Sequence, residues 1–226
     1  LSKDDEGIAV DATKFKQAIG SLMYLTVTRP DLMFGVSLIN RYMANPKESH
    51  WATTKRLLRY LKGTTKYGLF YKRGRKTGLI AYSDSNYAGD LDDRRSTSGL
   101  VFIMGTRAIS WALKKQHVVS LSTTEAEYIT AAFCACQCIE EKKETEILCD
   151  NSSIIQLSKN PDFHGRSKHI AVRFHFLRDL VNDQVVRLSY YSSNKQIADI
   201  MTKPLKLDQF ERIRCMLRVV KATEVS

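Results

Sequence analysis

The sequence lacks the cysteine spacing that zinc sites and disulfide frameworks require. Its 226 residues contain five cysteines, and Cys134, Cys136 and Cys138 fall in a predicted helix. At the helical angle of about 100° per residue, the first and third share a face and the second points elsewhere. Zinc ligands need a different spacing and a loop. We therefore expect buried or semi-buried thiols, and an odd number of cysteines without a signal peptide indicates an intracellular, reducing compartment.

The sequence also lacks a long apolar run and has a deficit of negative charge, and these two features bear on the partners that the protein can have. No apolar run approaches the roughly 18 residues that a membrane-spanning helix requires, so no membrane partner is predicted. Negative charge is also in deficit, because 35 lysines and arginines stand against 24 aspartates and glutamates and the formal net charge is +11. A surplus of positive charge favours a polyanionic partner such as nucleic acid, since each phosphate contact releases counterions. Hydrophobic residues make up 43% of the chain, which permits a sizeable core.

The first part of the chain has the residue spacing of helices. Residues 1–12 are polar and predict a loose lead-in, whereas apolar side chains recur every three or four residues from Phe15 to Leu22. Two prolines interrupt the spacing further along, and Ser49 is the predicted cap of a third helix. Residues 13–73 are therefore predicted to form a small helical region.

The remainder alternates between strand and helix patterns. Three β-rich segments in a row predict an antiparallel meander, and the later order of helix, strand, helices and strand predicts an α/β fold with a mixed sheet. A long helix is expected from Thr123 or Thr124 to about Lys143. The other predicted strands and helices are strands at 67–71, 78–83, 99–104, 108–113, 146–149 and 185–191, and helices at 152–159, 170–182, 194–202 and 207–219.

Four acidic residues stand on predicted elements from separate parts of the chain. Asp84 and Asp150 each end a strand, Glu127 lies in a helix, and Asp199 opens another helix. Carboxylates that converge from separate elements bind hard divalent cations, and two such ions held together can cleave a phosphodiester. Glu125 lies two residues from Glu127, so the two cannot face the same site and spacing leaves the choice open.

Three of these carboxylates also have an ordinary structural interpretation. The run from Asp84 to Asn86 is common turn chemistry. Asp150 suits a helix N-cap, although Asn151 or the serine after it would fill that position as well. Asp199 lies where a negative charge complements a helix dipole. The residues alone therefore support both a metal site and three local structural roles.

Short stretches in a fixed order carry a family resemblance. They are Tyr82-Ser83-Asp84, Ala88-Gly89-Asp90, Asp93 to Gly99, Ile109-Ser110-Trp111, Leu121 to Tyr128, Cys149-Asp150-Asn151, Lys168-His169-Ile170 and Ala198 to Pro204. Together they resemble the ribonuclease H domain of copia-type LTR retrotransposon Pol polyproteins. The stretch before them, from Ile19 to Thr64, resembles the connection region that follows the polymerase palm in the same polyproteins.

The resemblance implies a metal-dependent ribonuclease H that hydrolyses the RNA strand of RNA–DNA hybrids during reverse transcription. It implies two Mg²⁺ ions, with Mn²⁺ as an alternative, and no small-molecule cofactor. The remainder of the Pol polyprotein, with its palm, is the implied protein partner. The sequence leaves the cellular location open between a virus-like particle and the nucleus. The ribonuclease H domain is placed at residues 74–204 and a C-terminal helix at 205–226. No Tyr-Val-Asp-Asp palm signature occurs, so no polymerase activity is predicted. The implied catalytic and metal-binding residues are Asp84, Glu127, Asp150 and Asp199.

Residues that would contact the nucleic acid fall in four segments near these carboxylates. Arginine forks and hydroxyls suit phosphate, and helix N-termini bind anionic oxygen. The first segment is equally compatible with a solvated hairpin loop. The candidate substrate-binding residues are Arg94, Arg95, Ser96, Ser122, Thr123, Asn151, Arg166, Lys168 and His169.

Departures from the family pattern support an alternative function. Asn86 and Ala171 stand where relatives often have acids, and the segment 139–146 is shorter than usual. The alternative is a catalytically inactive nucleic-acid-binding remnant, or a structural connection domain of a retrotransposon polymerase.

Overall fold

The computed structural model describes residues 1–71, 78–141, 143–159 and 171–224. Three of the predicted substrate-binding residues, Arg166, Lys168 and His169, lie outside this part of the chain. None of the helices that the structure describes is both long enough and apolar enough to cross a membrane.

Three α-helices form the first region, with α1 at Ala12–Leu25, α2 at Met33–Asn40 and α3 at Glu48–Gly63. A short 3-10 turn at Pro30–Leu32 precedes α2, as expected where proline begins a helix. The helices enclose their own apolar core, which includes Phe15, Ile19, Leu22, Val36 and Ile39.

The start of α3 differs from the prediction that Ser49 is its cap. The helix begins at Glu48, and the ring of His50 accepts a hydrogen bond from the backbone N–H of Lys47 at 3.0 Å. The Ser49 hydroxyl instead bonds to the carboxylate of Asp4 at 2.6 Å, which ties the lead-in to the helix.

A five-stranded mixed sheet forms the second region, as the sequence predicts. Its strands are β2 at Leu79–Asn86, β3 at Thr97–Met104, β4 at Arg107–Lys115, β5 at Thr145–Cys149 and β6 at Val186–Tyr190. The order across the sheet is β4-β3-β2-β5-β6. The first three strands pair antiparallel, whereas β5 is parallel to both β2 and β6.

Neighbouring residues on each central strand enter different cores, because side chains alternate between the two faces of a sheet. Ala81, Leu100 and Ile147 pack beneath α4 (Thr123–Cys136), α5 (Ser152–Lys159) and α6 (Ala171–Asn182). Their neighbours Tyr82, Val101 and Leu148 pack beneath α7 (Asp199–Thr202) and α8 (Leu207–Met216).

Three predicted helices are shorter in the structure than in the sequence analysis. In place of the helix predicted at 194–202, the chain forms a 3-10 turn at Ser193–Lys195 and then α7 at Asp199–Thr202. α4 ends at Cys136, and the chain turns before entering β5 at Thr145. α8 ends at Met216, and the following residues form β7 at Val219–Lys221. β7 pairs antiparallel with β1 at Tyr67–Leu69, the strand that follows α3. The end of the chain is thereby joined to the helical region.

A buried ion pair adds to this junction. The Arg29 guanidinium donates to both carboxylate oxygens of Asp31, at 2.9 and 2.7 Å. The Tyr60 hydroxyl donates to Asp31 at 2.7 Å and receives a hydrogen bond from Arg214 of α8 at 3.2 Å. Every charge in this group therefore has an opposite charge or a hydrogen-bond partner within the protein.

Candidate metal centre

Three carboxylates meet at one edge of the sheet because β2 and β5 are parallel neighbours. Asp84 lies near the carboxyl end of β2, and Asp150 directly follows β5. α4 packs across β2 and β3 and brings Glu127, in its second turn, over the same edge. One oxygen from each of the three residues lies within 4.8 Å of the other two.

The structure distinguishes the two glutamates that spacing left open. Glu127 joins the cluster, whereas a carboxylate oxygen of Glu125 accepts the backbone N–H of Leu121 at 2.8 Å. Ser122 accepts the N–H of Glu125 at 3.1 Å, so Ser122 is the N-cap of α4 in place of the predicted Thr123 or Thr124. Glu125 thus stabilises the helix start, as acids in a first turn do.

Glu127 has one oxygen that the protein leaves available for a ligand. Its Oε1 accepts the backbone N–H of Ser85 at 2.9 Å. Its Oε2 is buried and accepts no hydrogen bond from any residue that the structure describes. An unpaired buried carboxylate oxygen is costly, and three carboxylates form the oxygen donor set that Mg²⁺ and Mn²⁺ prefer. The residues therefore fit the implied divalent ion.

The electrostatics of the cluster oppose its ionisation when no cation is bound. The pKa of Asp84 is raised to about 7, chiefly by burial; the nearby charges of Asp199 and Asp150 also raise it, while Lys203 and Thr202 lower it. Burial, followed by the charges of Asp84 and Asp150, also raises the pKa of Glu127 well above its ordinary value. These are the shifts expected of desolvated carboxylates that share a site.

Asp199 stands apart from the three clustered carboxylates. It is buried in α7, and its Oδ1 lies 2.9 Å from the ammonium group of Lys203, one helical turn later. Gln209 of α8 donates to its other oxygen at 3.3 Å. Asp84 is the link between the groups, because Lys203 lies 3.9 Å from its Oδ1 and the Thr202 hydroxyl bonds to its Oδ2. The structure thus brings three of the four predicted ligands together and pairs the fourth with a lysine.

Lys203 and Gln196 contribute to the site but were missed by the sequence analysis. The position of Lys203, four residues after Asp199 on a helix, was an available signal. Gln196 is fully buried and donates to the carbonyls of Ser83 at 3.0 Å and Leu148 at 3.3 Å, so it bridges the ends of β2 and β5. No pattern in the sequence indicates that role.

The predicted substrate-binding residues around the cluster have mixed placements. The Asn151 side chain accepts the N–H of Ser153 at 2.9 Å, so it caps α5 and leaves Asp150 to the cluster. Ser122 and Thr123 are exposed at the first turn of α4, the helix that carries Glu127.

The other candidates lie in the β2–β3 loop, which comprises residues 87–96. Arg94 is exposed and has a positive φ of 56°. Arg95 is half-buried and lies 3.6 Å from the carboxylate of Asp93. Ser96 is fully buried and accepts the N–H of Ala88 at 3.1 Å. The Ser96 hydroxyl therefore holds the loop from within, whereas Arg94 and, in part, Arg95 face solvent together with the acids Asp92 and Asp93.

Sequence comparison with known proteins identifies transposon relatives. No family model matches the chain. The Pol polyprotein from transposon RE2 of Arabidopsis thaliana is 40% identical over 222 residues, which cover 93% of this chain and 15% of that protein. The one from transposon TNT 1-94 of Nicotiana tabacum is 41% identical over 208 residues, which cover 87% of this chain and 16% of that protein. This chain therefore spans only a small part of the length of these relatives.

Comparison with solved structures supports the predicted fold. The foamy viral protease–reverse transcriptase in complex with RNA/DNA hybrid matches 91% of this chain and 28% of its own, with a TM-score of 0.57 and 13% identity. At that identity the similarity shows the fold alone. The mixed α/β sheet flanked by helices is ribonuclease H-like, as predicted. Together with the sequence identities, this fold places the chain in the family of retrovirus-related Pol polyproteins from transposons, of which it is a segment.

Proposed function

We propose that this segment is a metal-dependent ribonuclease H that hydrolyses the RNA strand of RNA–DNA hybrids during reverse transcription. The observation that supports it best is the convergence of Asp84, Glu127 and Asp150 to within 4.8 Å. Three carboxylates from separate elements, one with an unpaired buried oxygen, form an arrangement that a bound cation would stabilise once they are ionised. The foamy viral protease–reverse transcriptase, which is similar in fold, has a structure in complex with an RNA/DNA hybrid, and this is the substrate class proposed here.

The protein's own residues have distinct roles in this proposal. Asp84, Glu127 and Asp150 would hold divalent ions, two Mg²⁺ or Mn²⁺, with Asp199 joining them once Lys203 moves away. Such ions activate water and stabilise the leaving oxygen in phosphodiester hydrolysis. Gln196 and the Ser85 N–H keep the carboxylates oriented without neutralising them.

The substrate would be held by the groups that surround the cluster. Thr123 and the first amides of α4 suit an anionic phosphate, and Arg94 and Arg95 suit another along the same backbone. Ribonucleases that act on hybrids recognise shape and 2′-hydroxyls, so cleavage is expected to depend little on sequence. The remainder of the Pol polyprotein is the proposed partner that delivers the hybrid.

One observation favours the alternative, a non-catalytic nucleic-acid-binding remnant or connection domain. Lys203 already neutralises Asp199 and approaches Asp84, and a lysine can replace a cation in a structural site. In that case the protein would bind hybrids without cleaving them.

The test is cleavage of an end-labelled RNA–DNA hybrid in Mg²⁺ by the natural chain and by Asp84→Asn. Asp183→Asn is the matched control, since Asp183 is exposed after α6 and lies outside the cluster. Cleavage of the RNA strand that requires Mg²⁺, survives in Asp183→Asn and disappears in Asp84→Asn supports the enzyme. Folded protein that binds the hybrid without cleaving it establishes the alternative.

A further inference from the structure

The β2–β3 loop is organised around one buried carboxylate, that of Asp90. Its Oδ1 accepts the backbone N–H groups of Asp92 at 3.0 Å and Asp93 at 3.2 Å. The main chain of the loop closes on the same residue, because Arg94 N–H donates to the Asp90 carbonyl at 3.0 Å. Asp90 therefore fixes the backbone that leads directly into Arg94 and Arg95.

Two cations hold the other oxygen of Asp90, and one of them comes from the helical region. Lys115 at the end of β4 lies 2.6 Å from Oδ2, and Arg41 lies 2.7 Å from it. Arg41 directly follows α2, and its second amino group donates to the hydroxyl of Thr97, the first residue of β3, at 3.1 Å. One guanidinium thus connects the helical region to both the loop and the strand after it.

Two further contacts to the β2–β3 loop come from the helical region and from the lead-in, and both are made to Asp92. The hydroxyl of Tyr42 donates to Asp92 at 3.3 Å, and the backbone N–H of Lys3 donates to the same carboxylate at 2.9 Å. Tyr42 is itself fixed by a stacked contact with His50, with ring centroids 4.0 Å apart. Arg41 and Tyr42 of the helical region and Lys3 of the lead-in therefore contact two acids of a single loop.

We infer that Arg41 is a positioning residue for the nucleic acid, which holds the β2–β3 loop so that Arg94 and Arg95 face the substrate. The inference rests on the proposed function for the identity of that substrate. Arg41 lies outside the apolar cluster of α1, α2 and α3, so packing of the three helices does not explain its position. The inference gives the helical region a role in substrate binding. Arg41 does not touch the clustered carboxylates, so its effect should be on binding alone.

The experiment compares Arg41→Met with Arg56→Met, a control on the exposed face of α3. Hybrid affinity is measured by fluorescence anisotropy without divalent ions and at one salt concentration. We expect Arg41→Met to weaken binding about tenfold, the size of one well-placed charged contact, and the control to change it less than about twofold. In Mg²⁺, KM should rise with little change in kcat, which is the signature of lost binding. Arg41→Lys, which keeps one contact to Asp90, should recover part of the affinity.

Three further measurements separate positioning from a general loss of structure. Hydrogen exchange at the amides of Asp92 and Asp93 should accelerate in Arg41→Met, while the amides of β5 stay protected. The rise in melting temperature on adding Mg²⁺ should remain that of the natural chain. Combining Arg41→Met with Arg94→Ala and Arg95→Ala should weaken binding less than the sum of the separate changes.

Unchanged affinity and unchanged loop exchange in Arg41→Met would overturn the inference. If the natural chain does not bind the hybrid at all, the proposed function fails. The exchange measurement still decides whether Arg41 holds the loop, so the two failures are distinguishable.

Discussion

Two sets of buried carboxylates in this protein have opposite surroundings. Asp31 and Asp90 are each paired with arginine and further hydrogen-bond donors, and at Asp90 the bonds from Lys115 and from backbone amides outweigh burial and lower its pKa. Asp84 and Glu127 are as deeply buried, yet their pKa values are raised. The first set is neutralised by the protein, whereas the second is left for a cation from outside.

This difference separates the two sets of acids better than burial or sequence motif does. Asp84, Asp90 and Asp199 all lie in stretches that carry the family resemblance, and all are less than 6% exposed. They differ in the hydrogen bonds and positive charges that surround each carboxylate. The pKa of Asp199 is raised as well, because burial outweighs the bond from Lys203.

The largest expected effect comes from removing a neutralised acid. Asp31→Ala leaves the Arg29 guanidinium buried without an opposite charge, so it should lower the free energy of unfolding by about 3–5 kcal/mol. Urea unfolding measures this, with the exposed Asp5→Ala as control. A loss below about 1 kcal/mol would mean that Asp31 is not a structural acid.

The pH dependence of stability should reveal the raised pKa values of the second set, Asp84 and Glu127. The folded-state pKa of Asp84 is about 7, above its ordinary value of 3.8. The folded protein therefore keeps a proton that the unfolded chain releases, so the metal-free protein should lose stability as pH rises from about 4 to 7, by up to about 4 kcal/mol. Mg²⁺ should reduce this loss, since it binds the ionised carboxylates. Urea unfolding across this range with EDTA and with Mg²⁺ tests both statements, and a stability that rises with pH in EDTA would contradict them.

Replacing Asp84 should change the free energy of unfolding by a smaller amount than Asp31→Ala does, and in the opposite direction. At pH 8 without metal, Asp84→Asn should raise the free energy of unfolding by about 1–3 kcal/mol, because one charge leaves a desolvated, mutually repelling cluster. The gain is less than the pKa shift alone implies, since Lys203 loses a partner. The variant should also lose the stabilisation by Mg²⁺, which thermal unfolding at increasing Mg²⁺ would show. Destabilisation at pH 8 would place Asp84 with the structural acids.

The smallest effect is expected from replacing Lys203, which pairs with Asp199 and approaches Asp84. Lys203→Met removes a cation that is 38% exposed, so screening limits the expected loss in metal-free stability to about 1 kcal/mol or less. Saturating Mg²⁺ should shrink that loss further, because the ions take over neutralisation. A loss that is equal with and without Mg²⁺ would show that Lys203 and the ions do not share the carboxylates.

The sequence predicted elements well where local signals were strong. The helix expected at 152–159 is α5 in the structure, and the antiparallel meander of β2, β3 and β4 was predicted with boundaries a few residues short. Both have local causes, since Asn151 caps the first and alternating apolar residues define the second. The convergence of Asp84, Glu127 and Asp150 was likewise predicted, although through the resemblance and not from spacing alone.

Long-range contacts explain what could not be predicted. The residues after Met216 continue a helical pattern, but β7 pairs with β1, which lies far away in the chain. The charged residues after Cys136 favour helix locally, yet the chain must turn to enter β5. The bond between Arg41 and Asp90 joins residues 49 positions apart, and neither residue indicates its partner.

The pairing of β1 with β7 has a consequence for how the protein can be divided. The described residues before and after positions 72–77 contact each other through this pairing, through the Arg214–Tyr60 bond and through Arg41. A backbone cut between the two parts would break one covalent connection and none of these contacts. We therefore expect the two pieces, produced as separate chains, to reassociate and copurify. The segment would then behave as a split protein, and recovery of one piece with the other would show that both are present.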